Sequence, residues 1–109
     1  MSEIVLSQTE NSFQNSSTRI IINFKLDGDN YPLWSRLMRV AIGGKGKLRH
    51  ITGEPEPPAK TDEAFAKWEE NDLTVFSWIL QNIETRFINS VAEYQTVKEL
   101  WDALETTYK

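Results

Sequence analysis

Trp34, Leu37, Met38, Ala41 and Ile42 recur three and four residues apart. Of the regular backbone conformations, only the α-helix gathers that spacing onto one side. The flanks agree with a helix over residues 31–42. Asn30 is a favourable N-cap, Pro32 is tolerated in a first turn where its missing N–H would have no partner, and Gly43-Gly44 supplies a stop. The period returns from Thr61 or Asp62 onward in Phe65, Trp68, Phe76, Ile79, Leu80 and Ile83, with Leu73 and Val75 nearby and a bend expected at Asn71-Asp72. Residues 84–91 suit a further short helix. Thr96-Val97-Lys98-Glu99 then reads as a capping box opening a last helix through Leu100, Trp101, Leu104 and Tyr108. A turn of helix around Leu48 to Ile51 precedes Gly53-Glu54-Pro55-Glu56-Pro57-Pro58, an extended connection between two helical halves. With no alternation of strands and helices and no internal repeat, the fold class is all-α, a small bundle of four to five helices.

The exception is the β-branched run Ile20-Ile21-Ile22, followed by Asn23-Phe24 and the turn residues Asp27-Gly28-Asp29-Asn30. It predicts one short N-terminal strand or extended segment, which needs a partner edge or a groove to lie in. Residues 1–18, rich in Ser, Gln, Asn and Thr, show no apolar period and are expected to form a flexible tail ahead of a domain at 19–109. At 109 residues the chain supports one hydrophobic core. Without cysteine there are no disulfides, thiolate metal sites or thiol nucleophiles. No apolar run approaches the roughly 20 residues of a membrane span, and the first residues lack the basic start of a secretory signal, so a cytoplasmic location and no membrane partner are expected. The sequon Asn15-Ser16-Ser17 is then a chance match.

Chemistry is sought and largely not found; no catalytic site, cofactor or metal is expected. Gly43-Gly44-Lys45-Gly46-Lys47-Leu48 resembles a phosphate loop, but Ala41 stands where that motif needs Gly and Leu48 where it needs Ser or Thr. Asp27-Gly28-Asp29-Asn30 begins like a calcium loop, yet Tyr31 and Pro32 occupy the next ligand and the obligatory Gly positions. His50, the single histidine, is read as a plain surface or half-buried residue. Glu54/Glu56 and Glu69/Glu70 are read as solvated. Trp34, Trp68 and Trp101 fall on apolar stripes and are assigned to the core. Trp78 falls off the stripe of its helix, which leaves it either as an exposed interface anchor or as part of a second packed face.

The order of these features is similar to the amino-terminal part of the Gag polypeptide of copia-type long-terminal-repeat retrotransposons, a family abundant in plant genomes. Leu26 and Gly28, the pair Asn30-Tyr31, and Trp34 three residues on resemble its opening signature. Ile51-Thr52-Gly53 with Pro57 and Pro58, then Trp68 with Asp72 and Trp78-Ile79, and finally Leu100-Trp101-Asp102-Ala103-Leu104 closing at Tyr108 resemble the blocks that follow. These are residues of the fold: Gly28 permits the turn, Asn30 caps, and Tyr31 and Trp34 anchor the first helix. The resemblance implies a capsid-like helical assembly domain, whose partner is another Gag copy. The alternative is a domesticated module that binds a host protein.

Charge limits the remaining classes. The net charge of −4 divides into −1 over residues 1–24, +4 over 25–52 and −7 over 53–109. So acidic a balance opposes phosphate binding, and RNA should bind at most weakly, through Arg36, Arg39, Lys45, Lys47 and Arg49. Those cations, opposite Glu63, Glu69, Glu70 and Asp72, either meet between copies of the chain or are solvated and paired within one molecule.

Overall fold

A computed structural model describes residues 19–109; the expected tail over 1–18 and its sequon lie outside the described residues. Among the described residues five α-helices follow one another: α1 Tyr31–Gly44, α2 Arg49–Thr52, α3 Phe65–Gln81, α4 Ile88–Val91 and α5 Val97–Tyr108, with a 3-10 turn at Thr85–Phe87 ahead of α4. No strand is formed among the described residues, so the all-α expectation holds.

Two boundaries differ from the sequence reading, each for a local reason. α1 continues through Gly43 and Gly44, because a glycine only weakens a helix, whereas a positive φ ends it. The reversal falls at Gly46, φ 76°, after Lys45 N–H and Lys47 N–H both bond the Ile42 carbonyl. α3 starts at Phe65, since the Asp62 carboxylate accepts the Ala64 N–H at 2.8 Å and makes a turn there instead of a helix. It then runs continuously through Asn71-Asp72, where a bend was expected. The cap at Asn30 also works differently. Its carbonyl accepts the Trp34 N–H, but its side chain makes no capping bond and reaches back to Asp27 N–H and the Lys25 carbonyl, closing the turn around Gly28, φ 98°.

The capping box before α5 forms as its residues suggest, with Thr96 Oγ1 accepting the Glu99 N–H at 3.2 Å. The reciprocal bond goes one residue further out, from Gln95 N–H to Glu99 Oε1 at 2.9 Å.

The run after Arg19 is extended and alternates. Ile20 is buried, Ile22 and Phe24 are half-buried against the core and Leu26 is buried, while Ile21 and Asn23 face out. Its partner is the end of α3. Leu26 and Ile83 form a single parallel bridge, in which Leu26 N–H bonds the Asn82 carbonyl and Glu84 N–H bonds the Leu26 carbonyl. Four to six residues before Leu26, the Asn82 side chain takes the place of a strand: its Oδ1 accepts the Ile22 N–H at 3.1 Å, and its amide donates to the carbonyls of Ile20 and Trp78 at 2.7 and 2.8 Å. Asn82 is only 1% exposed, and these bonds are what make that burial tolerable. The lone segment therefore has a groove and an amide to lie on, rather than a sheet.

Around this seam lies one core. Trp34 on α1 is fully buried and donates its indole N–H to the Asn82 carbonyl at 2.7 Å, so the same residue joins α1, α3 and the extended segment. Met38 and Ile42 continue the α1 stripe, Val75, Phe76 and Ile79 supply α3, and Val97, Leu100 and Leu104 supply α5. Trp101 stacks on Trp34 with centroids 6.0 Å apart and stays half-buried.

Candidate interaction surface

Three of the residues weighed as candidates for chemistry or contact are consumed by the fold. His50 was expected at or near the surface, and Asp72 in an acidic surface cluster; both are buried, at 4% and 3% exposure. With Asp72 a carboxylate, His50 Nδ1 is the donor to its Oδ1 at 2.8 Å, and the second oxygen accepts the Val97 N–H at 3.1 Å. Asp72 on α3 thus holds α2 through His50 and α5 through its first amide, which as a helix N-terminus has no partner within its own helix. Trp68 covers the imidazole, ring centroids 5.3 Å apart. A histidine enclosed in this way serves the packing of α2 on α3. Trp78, weighed as an exposed anchor, is 1% exposed and belongs to the core. The reading that places it on a second packed face is the correct one.

The five cations do not line one cleft: Lys47 shares one with Lys45 and another with Arg49, and Arg36 and Arg39 line a third. Arg49 spans the proline-rich connection, its guanidinium donating to the Pro55 and Glu56 carbonyls at 3.3 and 2.6 Å. Lys45 and Lys47 border a cleft against α3 that also holds Lys67, Glu70 and Trp78. Arg36 and Arg39 stand apart on α1, exposed and without an ion pair to any described residue.

Beside them runs an open groove of about 290 Å³ between α1 and α5. Tyr31, Pro32 and the outer face of Trp101 make its apolar floor; Arg36, Arg39 and the Glu105–Lys109 pair, 3.6 Å apart, make its rims. Burial, with Glu105 and Asp102 nearby, raises the Tyr31 phenol above its ordinary 10.0 against a hydrogen bond with Ser35 that lowers it, so the hydroxyl is neutral at physiological pH. Outside the groove, Leu33 and Val40 on α1 and Leu73 on α3 remain more than half exposed although the core is complete without them. Sequence reasoning gave no weight to Leu33 and Val40 and set Leu73 beside the apolar period of its helix. Their position off the apolar stripe of each helix was the available signal.

The remaining signature residues serve the fold. Leu26 seals the seam, and Gly28 lies where a β-carbon would meet Phe87 at 3.5 Å and where φ is positive. Gly53, φ 79°, ends α2 with its N–H on the Arg49 carbonyl, and Leu100 and Leu104 pack into the core. Among the described residues no group of three or more His, Cys, Asp or Glu could hold a metal ion. No helix of the described residues is long and apolar enough to cross a membrane.

Residues 12–59 match the family described as Gag-polypeptide of LTR copia-type. A curated protein, the retrovirus-related Pol polyprotein from transposon RE2 of Arabidopsis thaliana, is 26% identical over 93 residues, which cover 77% of this chain and 6% of that polyprotein. The chain thus spans a small part of the length of the relative it matches. No solved structure matches. The resemblance read from the signature residues is borne out: the chain is similar to the Gag polypeptide of copia-type elements.

Proposed function

Starting from that copia-type Gag-like resemblance, we propose that the chain is a structural, non-catalytic domain of that family that associates with other copies of itself, in the cytoplasm. The observation that carries this reading is the division of labour among its side chains. The buried polar residues His50, Asp72 and Asn82 are bonded to one another's elements or to backbone. Of the large apolar residues the core does not use, Leu33 and Val40 stand on the outer face of α1, Leu73 on that of α3 and Ile21 on the extended segment. Scattered exposed apolar residues are ordinary, but Leu33 and Val40 flank Arg36 at the rim of an apolar groove. The scattering of the five cations supports only weak RNA binding through this segment.

The test is to express the chain alone and joined to its native downstream sequence, and to follow particle formation by electron microscopy and sedimentation. Ordered particles or concentration-dependent oligomers are expected. A longer protein that stays monomeric refutes assembly and leaves a module that binds a host protein.

A further inference from the structure

We infer that the groove between α1 and α5 receives the outer stripe of α3 from a second copy: Leu73 enters against Tyr31 and Trp101, and Glu69 and Glu70 meet Arg36 and Arg39. This rests on the self-association proposed above and names its contact.

The stripe is a consequence of helical spacing. Glu69 and Glu70 precede Leu73 by four and three residues, so they lie one turn away and on either side of it. Leu73 is 58% exposed, and Glu69 and Glu70 are exposed as well. The result is an apolar knob flanked by two carboxylates. The groove is its counterpart in shape and sign. Its floor is aromatic, and its Glu105 is paired with Lys109, which leaves the charges of Arg36 and Arg39 uncompensated by any described residue. Leu33 and Val40 lie three and four residues from Arg36 on the same side of α1 and extend the apolar surface past the rim.

No residue of α3 lines the groove, so a chain does not fill its own. Glu70 has one intramolecular partner, Lys67 at 3.2 Å, but both are well exposed and such a pair holds little energy. Because groove and knob are different surfaces, each copy has one of each to offer, and the contact is heterologous, propagating into rings or open arrays. The guanidinium–carboxylate pairs set register and encounter rate, and the leucine in the aromatic floor supplies the salt-independent part.

Sedimentation across a concentration series, at about 0.05 M and about 0.5 M salt, compares four samples. These are the parent, Arg36→Glu with Arg39→Glu, Glu69→Lys with Glu70→Lys, and an equimolar mixture of the two variants, with far-ultraviolet circular dichroism confirming that each is folded. The expected result is association that weakens with salt and falls at least about tenfold in each variant alone. The mixture recovers it, because the unaltered carboxylates of one variant meet the unaltered arginines of the other and the reversed groups meet each other. Leu73→Ser lowers association at both salt concentrations. If the parent associates but charge reversal changes nothing, or the mixture does not recover what the variants lose, this pairing is wrong and self-association uses another face. A parent that remains monomeric throughout overturns the pairing, and the longer protein staying monomeric as well overturns the assembly reading with it.

Discussion

Replacing Asn82 by alanine should unfasten the extended segment from the helical bundle. The substitution removes three hydrogen bonds, to Ile22 N–H, the Ile20 carbonyl and the Trp78 carbonyl, from a site 1% exposed. At about 1 kcal/mol net for each, the direct loss is about 3 kcal/mol, and it grows wherever a group stays buried without a partner. That is a large part of the ordinary stability of a small domain and corresponds to a fall in Tm of about 12 °C or more. Asn82→Asp separates donor loss from cavity formation. It keeps the shape but turns a carboxylate oxygen toward two carbonyls that the amide now meets at 2.7 and 2.8 Å. It should therefore cost more than the alanine, unless the acid takes up a proton. Urea denaturation followed by tryptophan fluorescence gives the free energies, and amide exchange at Ile22 reports the segment directly. An alanine variant within about 1 kcal/mol of the parent, with Ile22 still protected, refutes the claim that this amide replaces a strand.

Trp34→Ala removes a fully buried ring and its bond to the Asn82 carbonyl, and should lose about 3–5 kcal/mol in the same denaturation assay. The Tyr31 phenol should titrate above a free tyrosine in ultraviolet difference spectra; the unfolded chain gives up this proton first, so stability falls as pH rises through and above about 10. Single-stranded RNA at physiological salt should bind with a Kd no tighter than about micromolar, and sub-micromolar binding abolished by neutralising Arg36, Arg39, Lys45, Lys47 and Arg49 refutes this.

The helices were legible because each buries one side, and a side leaves a period in the sequence. Trp34, Met38 and Ile42 or Leu100 and Leu104 announce their burial through spacing alone. Trp78 did not, because α3 is covered on more than one flank. α5 packs along it, and the extended segment is tied to its end by Asn82. A helix covered twice has no single stripe. Of the buried polar residues two were misread and Asn82 was passed over, for a different reason. His50, Asp72 and Asn82 are held by partners 22 to 62 positions away, and nothing local distinguishes such a residue from a solvated one. Of the proposed interface, Arg36 and Arg39 were legible from charge, whereas the groove beside them exists only once α5 lies against α1.

The enclosed carboxylate of Asp72 also constrains how such a sequence can drift. It answers to an imidazole 22 residues before it and to a backbone amide 25 residues after it. A change at position 72 alone would strand both, while a change at 50 alone would leave a buried charge with half its company. Among descendants of this chain, positions 50 and 72 should thus be kept or exchanged as a pair, with an asparagine or serine at 72 demanding a new occupant at 50. The glutamates at 63, 69 and 70, facing water in the isolated chain, carry no such obligation from the fold. Any constancy found there would reflect what the surface touches.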